Sequence, residues 1–235
     1  MRVVMPSLHY GDFAAVTLPA WRQWVPEADI TLVTAPDDAD SIAAAAAAGV
    51  RCHVTRAWTA DGAVLNKGLA LDEAFGFAPG FTTPPADDTC CLSIDADVYP
   101  CGAVPSDATI ARDTLYGCAR YHCASPAALA QYCAGETGRA DLALIPPRVR
   151  GESDPQQLAH MSPVEAGQRA LGFFQLFRWA PGVAFGSSRS AGKYDLDFRR
   201  HFRARVGLEA VYVLHLGGLD RRNWRGRVLP AWGQP

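Results

Sequence analysis

The chain has 235 residues, 49% of them hydrophobic and 20% charged, with a formal net charge of −2. That balance excludes a disordered or fibrous protein, and no apolar run reaches the roughly 18 to 20 residues that a membrane-spanning helix requires. The opening MRVVMPSLHYGDF lacks a long apolar segment, so we expect no signal peptide and a cytoplasmic protein with one domain over residues 1–235.

In chain order, MRVVMPSL reads as a short buried strand that stops at Pro6 and Ser7. FAAVTLPAWRQWVP has a helical apolar face through Phe13, Val16, Leu18 and Trp21, and Pro19 predicts a kink or a late start. DITLVTAP is a second apolar strand. DDADSIAAAAAAG is a helix with acids at its N-terminus and Gly49 as its stop. VRCHVTRAW makes a third strand. The β-α-β-α-β alternation predicts an α/β fold, a doubly wound and mostly parallel sheet flanked by helices. Ligands of such sheets bind at the carboxyl ends of the strands.

NKGLALDEAFGF follows as an amphipathic helix with Leu69, Leu71 and Phe75 inward, and the Gly/Pro-rich APGFTTPPADDT leads into the apolar strand CCLSI. DTLYGCARYHC predicts a further strand, antiparallel to the rest. The polar, proline-bearing stretch 134–170 is too long for a passive turn and predicts a functional loop or lid. LGFFQLFRW returns to a buried strand. YDLDFRRHFRAR reads as a helix with Asp197 near its first turn, and AVYVLHLGG as a last strand that ends at His215.

Seven cysteines, an odd and irregularly spaced set, read as reduced thiols. Cys118, His122, Cys123 and Cys133 share one stretch, but their spacing matches no usual zinc pairing, so packed thiols are expected there. Charge is unevenly spread. Residues 1–185 carry 12 basic and 20 acidic side chains, residues 186–235 carry 10 and 4. The C-terminal fifth is therefore either a surface for phosphates or a solvated rim that balances the acidic body.

The stretch CCLSIDADVYP sends a buried strand into Asp95 and Asp97. Residues i and i+2 share a side of a pleated backbone, and burying an uncompensated acid pair is expensive. Hard oxygen ligands at that spacing suit Mn2+ or Mg2+, which in turn bind a diphosphate. Alone the pattern is weak. The apolar lead-in and the place on the fourth strand strengthen it.

Taken in order, NKGLALDEAF, SIDADVY, GFFQLFR, YDLDF and VLHLGG resemble motifs of nucleotide-sugar glycosyltransferases of the GT-A fold, over most of the chain. The resemblance implies a nucleotide-sugar half, residues 1–100, and an acceptor half, residues 101–235, with a basic end. It makes Asp97 the principal metal ligand, with Asp95 sharing the metal or binding the donor ribose beside Ala96, and His215 adding a nitrogen ligand. A neutral imidazole among carboxylates fits Mn2+ better than Mg2+. Asn66 and Lys67 would face the diphosphate from a helix N-terminus. Ser7 and Tyr10 at the first strand end, and Thr34 and Asp37 at the second, would hold uracil and ribose.

The resemblance further makes Asp195 the general base, while Asp197 caps its helix or orients a neighbour. Tyr194 departs from the family's usual Glu, and Phe173 with Phe174 from the Gly-Gly of some relatives. Phe174 and Trp179 would form an acceptor platform, with core packing as the other reading. Arg222 and Arg225, in LDRRNWRGR, would clamp a diphosphate or a nucleic-acid backbone. The implied activity is metal-dependent, inverting transfer from a UDP-sugar to an acceptor hydroxyl. The compact size and NWRGR resemble phage glycosyltransferases, some of which occur beside enzymes that hydroxylate methylated DNA bases. That implies 5-hydroxymethylcytosine in DNA as acceptor. A saccharide or peptide acceptor is the alternative, and a non-catalytic nucleotide-sugar-binding protein a third reading. A nucleotidyltransferase would carry a Gly-rich, basic segment after the first strand, whereas PSLHYGDFAA has one glycine and no lysine or arginine.

Overall fold

The computed structural model describes residues 1–77, 84–145, 161–169, 172–187, 191–217 and 232. The chain begins β1 (Arg2–Pro6), α1 (Gly11–Trp24), β2 (Asp29–Thr34), α2 (Ala39–Ala48), β3 (Arg51–Val54) and, after a 3-10 turn, α3 (Lys67–Phe75). It continues through β4 (Cys90–Ile94), β5 (Val98–Gly102), β6 (Thr114–Cys123), α4 (Pro126–Cys133), α5 (Pro163–Gln168), β7 (Phe174–Arg178), α6 (Ala191–Phe198) and β8 (Ala204–Leu216). One eight-stranded sheet has the order β3-β2-β1-β4-β7-β6-β8-β5. β5 and β7 run against the other six strands. The expected α/β architecture, a mostly parallel sheet flanked by helices, is present.

Both sheet faces are covered, which is why the central strands are apolar throughout rather than alternating. Val3 and Met5 of β1 pack with Leu18 and Trp21 of α1, and Val4 points to the opposite core with Leu71 and Phe75 of α3. Asp38 caps α2 by accepting from the Ser41 N–H at 3.1 Å, and Gly49 ends it with φ of 63°, a left-handed turn that glycine adopts without Cβ strain. α1 continues through Pro19. Ala15 and Pro19 both lie on the exposed face, so the carbonyl left without a helical donor faces water.

Several sequence expectations need correction. The strand expected to be antiparallel, β6, runs in the direction of β1 to β4, because β7 lies between it and β4 and opposes both. The last helix starts at Ala191 and β8 at Ala204, so Asp197 is in a final turn. There it pairs with Arg200 at 2.9 Å instead of capping an N-terminus. α3 is buried nearly all round, Asp72 and Glu73 included. β5 was not anticipated; its Pro100 is tolerated because β5 closes one edge of the sheet.

Within 134–170 the described parts include a bridge from Leu144 to Tyr121 and α5, which opens on a capping box between Ser162 and Glu165. Gly167 and Gly207 let α5 meet β8 backbone to backbone, since a Cβ at Gly207 would strike the Val164 carbonyl. Residues 146–160, the middle of the expected lid, lie outside the described residues. Cys90, Cys91, Cys101, Cys118 and Cys123 are buried free thiols. The expectation of packed thiols holds for Cys118 and Cys123 but not for Cys133, which is exposed, and burial pushes Cys90, Cys91 and Cys101 up to about 12. No helix among the described residues is long and apolar enough to cross a membrane.

Candidate functional site

β4 delivers Asp95 to the carboxyl edge of the sheet, where its N–H donates to the Phe173 carbonyl at 3.0 Å. The turn that follows is pinned from both sides. Thr17 and Trp21 of α1 donate to the carbonyls of Ala96 and Val98, each at 2.9 Å, and the Leu216 N–H donates to the Asp97 carbonyl at 2.8 Å. Pairing of Val98 with His215 then brings the last strand beside the acids.

The carboxylates differ in their partners. Asp95 is held by the Lys67 ammonium, which also reaches the Gly172 carbonyl at 3.5 Å. Asp97 lies 3.5 Å from His215 Nε2, and both side chains are about 15% exposed or less. Burial, aided by the Arg120 cation, pushes His215 down to about 3. The imidazole is therefore neutral at ordinary pH, and its Nδ1 has no hydrogen-bond partner among the described residues. A carboxylate oxygen beside a neutral imidazole nitrogen is a donor pair that fits a divalent ion. Asp95 does not join it: among the described residues no group of three His, Cys, Asp or Glu side chains is placed to hold a metal. The same holds for Cys118, His122, Cys123 and Cys133.

Asp195, on α6, faces the same cluster. Its carboxylate lies against Gly172, where any Cβ would collide with it. Its Oδ1 is inaccessible and has no hydrogen-bond partner among the described residues. Burial raises this carboxyl to about 7, against the lowering pull of Lys67. The Lys67 ammonium also sits 5.2 Å from the centre of the Tyr194 ring, so Tyr194 offers it an aromatic face. Burial likewise raises Asp95, with Lys67 opposing and Asp97 adding to the shift.

One residue that sequence reasoning missed belongs here. Arg120 of β6 interacts with Asp97 and Asp95, and its guanidinium lies 4.7 Å from the centre of the Phe173 ring. The available signal was a lone charge inside the otherwise uncharged strand TLYGCARYHC.

The other expected contacts are placed less directly. Asn66 is fully buried, caps α3 by accepting from the Leu69 N–H at 3.3 Å, and donates to Ser187 at 2.9 Å. Ser7 and Ser41 share a hydrogen bond of 2.7 Å, and Thr34 donates to Asp38 at 2.8 Å; both residues are buried. Asp37 is exposed, and Tyr10 is half-buried against Phe13. Phe174 has no exposed surface and packs in the core, so it offers no acceptor platform. Trp179 is excluded by register. Phe174 pairs with Ile94 and Arg178 with Cys90, which puts Trp179 at the amino end of β4, away from Asp95. Arg222 and Arg225 lie outside the described residues.

No family model matches the chain, and no curated protein does. Among solved structures it is similar to glucosyl-3-phosphoglycerate synthase of Mycobacterium tuberculosis, with a TM-score of 0.29 and 20% identity, over 42% of this chain and 34% of that one. A structure of that synthase in complex with Mg2+ and uridine diphosphate has the same score and identity, covering 33% of that chain. An active-site mutant of LgtC is similar over 86% of this chain and 60% of its own, with a TM-score of 0.38 and 14% identity. The chain thus spans about a third of the synthase and 60% of LgtC. At likenesses this partial, function has to be argued from the site.

Proposed function

We propose that the chain is a GT-A-type glycosyltransferase that moves a sugar from a UDP-sugar to an acceptor hydroxyl with the help of a divalent ion. The observation that carries this reading is the pairing of Asp97 with a neutral His215 at 3.5 Å, linked through Asp95 and Lys67 to a carboxyl of pKa about 7 at Asp195. Paired groups whose surroundings drive their protonation apart mark acid–base assignments.

Asp97 and His215 would hold the ion, Mn2+ or Mg2+, which when bound supplies Lewis-acid neutralisation of a diphosphate leaving group. Lys67 and Arg120 add fixed positive charge where that leaving group's charge develops. Asp195, near half ionised at neutral pH, takes the proton of the attacking hydroxyl, and in-line attack inverts the anomeric centre. Gly172, lacking a Cβ, leaves room for that carboxylate. For the acceptor we favour 5-hydroxymethylcytosine in DNA, supported by the sequence resemblance and by the cationic C-terminal fifth.

The test incubates purified protein with Mn2+ or Mg2+, a panel of UDP-sugars, and DNA with or without hydroxymethylcytosine. Nucleoside masses and released UDP are read from the same tubes. A hexose-sized gain confined to modified DNA is expected. Sugar-dependent UDP release without that gain would move the acceptor to a saccharide or peptide. No release across the whole panel would refute the transferase reading.

A further inference from the structure

A second concave surface, of about 450 Å³, is lined by Arg169, Arg199, Arg200, Arg203 and Arg205 together with two apolar side chains. Three elements build it. Arg169 ends α5, Arg199 and Arg200 form the 3-10 turn after α6, and Arg203 and Arg205 flank the start of β8. Along an extended backbone, residues two apart share a side and are spaced by about 6.6 Å. Arg203 and Arg205 therefore share a side at the start of β8, Arg199 and Arg200 precede them in the 3-10 turn, and Arg169 comes from a separate helix.

Among the described residues no carboxylate lines the groove, although Glu165 acts electrostatically on Arg169 from the side. Asp197 pairs with Arg200 at 2.9 Å and Asp113 with Arg203 at 3.9 Å. Those arginine side chains are 80% and 90% exposed, so water screens both pairs and another anion can replace either acid. Residues 1–185 carry an excess of acid, so a polyanion is drawn to this surface and repelled elsewhere. Guanidinium forks recognise phosphate oxygens in bidentate fashion, and a succession of forks suits a succession of phosphates. Leu196, 44% exposed in the groove, adds apolar contact.

We propose that this groove, between α6 and the amino end of β8, binds the phosphodiester backbone of a nucleic acid. Leu196 on its rim follows Asp195 on α6, and Arg199 acts electrostatically on the Asp195 carboxylate, whereas Arg203 and Arg205 lie at the edge of the sheet opposite His215. That the bound nucleic acid is the acceptor rests on the transferase reading above. Binding of the backbone does not.

The test measures fluorescence anisotropy of a short labelled DNA duplex, free of modified bases, with the full chain between about 50 and about 200 mM salt. Wild type is compared with the triple variant Arg200→Ala, Arg203→Ala, Arg205→Ala. Wild type is expected to bind with steep salt dependence. The variant should lose roughly 100-fold in affinity and about 2 to 3 units of log–log salt slope, with UDP affinity unchanged. Equal binding by the variant would overturn the proposal, as would displacement of DNA by inorganic phosphate at matched phosphate concentration. UDP binding without DNA binding would sink the groove and leave the transferase reading standing. DNA binding without UDP binding would do the reverse.

Discussion

Replacing Asp195 by Asn should separate its chemistry from its effect on stability. Burial, opposed by Lys67, raises the carboxyl from 3.8 to about 7. The native state thus holds the proton more tightly than the unfolded chain. The contribution of Asp195 to stability therefore falls as pH rises from the unfolded value to the folded one, and levels off above about 7. With those two values, Asp195 costs the fold roughly 4 kcal/mol at about pH 8 and under about 2 kcal/mol at about pH 5. These are upper figures, because the residue is partly exposed and solvent screens part of the cost. Asp195→Asn escapes a cost that grows by roughly 2 to 3 kcal/mol between about pH 5 and about pH 8. Urea unfolding at both pH values measures that difference. Transfer should fall by about 100- to 10,000-fold in the same variant, the usual worth of a positioned base. In wild type the acid limb of the pH–rate profile should have its midpoint near 7. Folded His215, at about 3, stays uncharged across that window and adds nothing to the acid limb; its unfolded imidazole protonates below about 6.5, which lowers the stability of wild type and variant alike towards about pH 5 and cancels in their difference. A stability gain independent of pH, or an acid limb in the ordinary carboxylate range, would refute the reasoning.

The remaining predictions address the rest of the cluster. Lys67→Met removes the cation that lowers Asp195, so the acid limb should move above 7, and an unchanged midpoint would show that the two groups are not coupled. Gly172→Ala puts a methyl group into the Asp195 carboxylate. It should lower kcat while leaving UDP affinity intact, and unaltered turnover would mean the carboxylate is not confined there. Asp97→Ala should abolish divalent-dependent UDP binding with an unchanged circular dichroism spectrum, a result that full UDP affinity would contradict.

How far the site could be read in advance depended on the kind of contact that made it. CCLSI was legible because a parallel strand buried on both faces has to be apolar throughout, and β4 is. The acids that follow stood out against that background. Phe174 and Trp179 looked equivalent in sequence, yet β7 opposes β4, so only residues before Phe174 meet Asp95. Strand direction was not encoded locally. Arg120 was hidden for the same reason. It reaches the acids because β6 lies beside β8 with His122 opposite His215, a pairing between segments about 90 residues apart. α5, by contrast, carried a readable capping box in SPVE that a long-loop interpretation absorbed.

Charge at the site closes without any added ion. Asp95 and Asp97 face Lys67 and Arg120, and His215 is held neutral by burial and by Arg120 itself. These two acids and two cations balance, Asp195 adds only the partial negative charge of a carboxyl at about 7, and an uncompensated acid pair would oppose folding there. A bare divalent cation would bring two unbalanced positive charges beside Lys67 and Arg120. A diphosphate arriving with it reverses that sign, and the same two cations then attract the ligand. Affinity for the metal should therefore depend on the nucleotide, and by linkage affinity for the nucleotide should depend equally on the metal. In calorimetric titrations Mn2+ should bind weakly alone and at least about ten-fold more tightly with UDP present, a coupling on the order of 1.4 kcal/mol. Equal affinity in both titrations would mean that Lys67 and Arg120 do not oppose the bare ion, and the account of a self-neutralised site would fail.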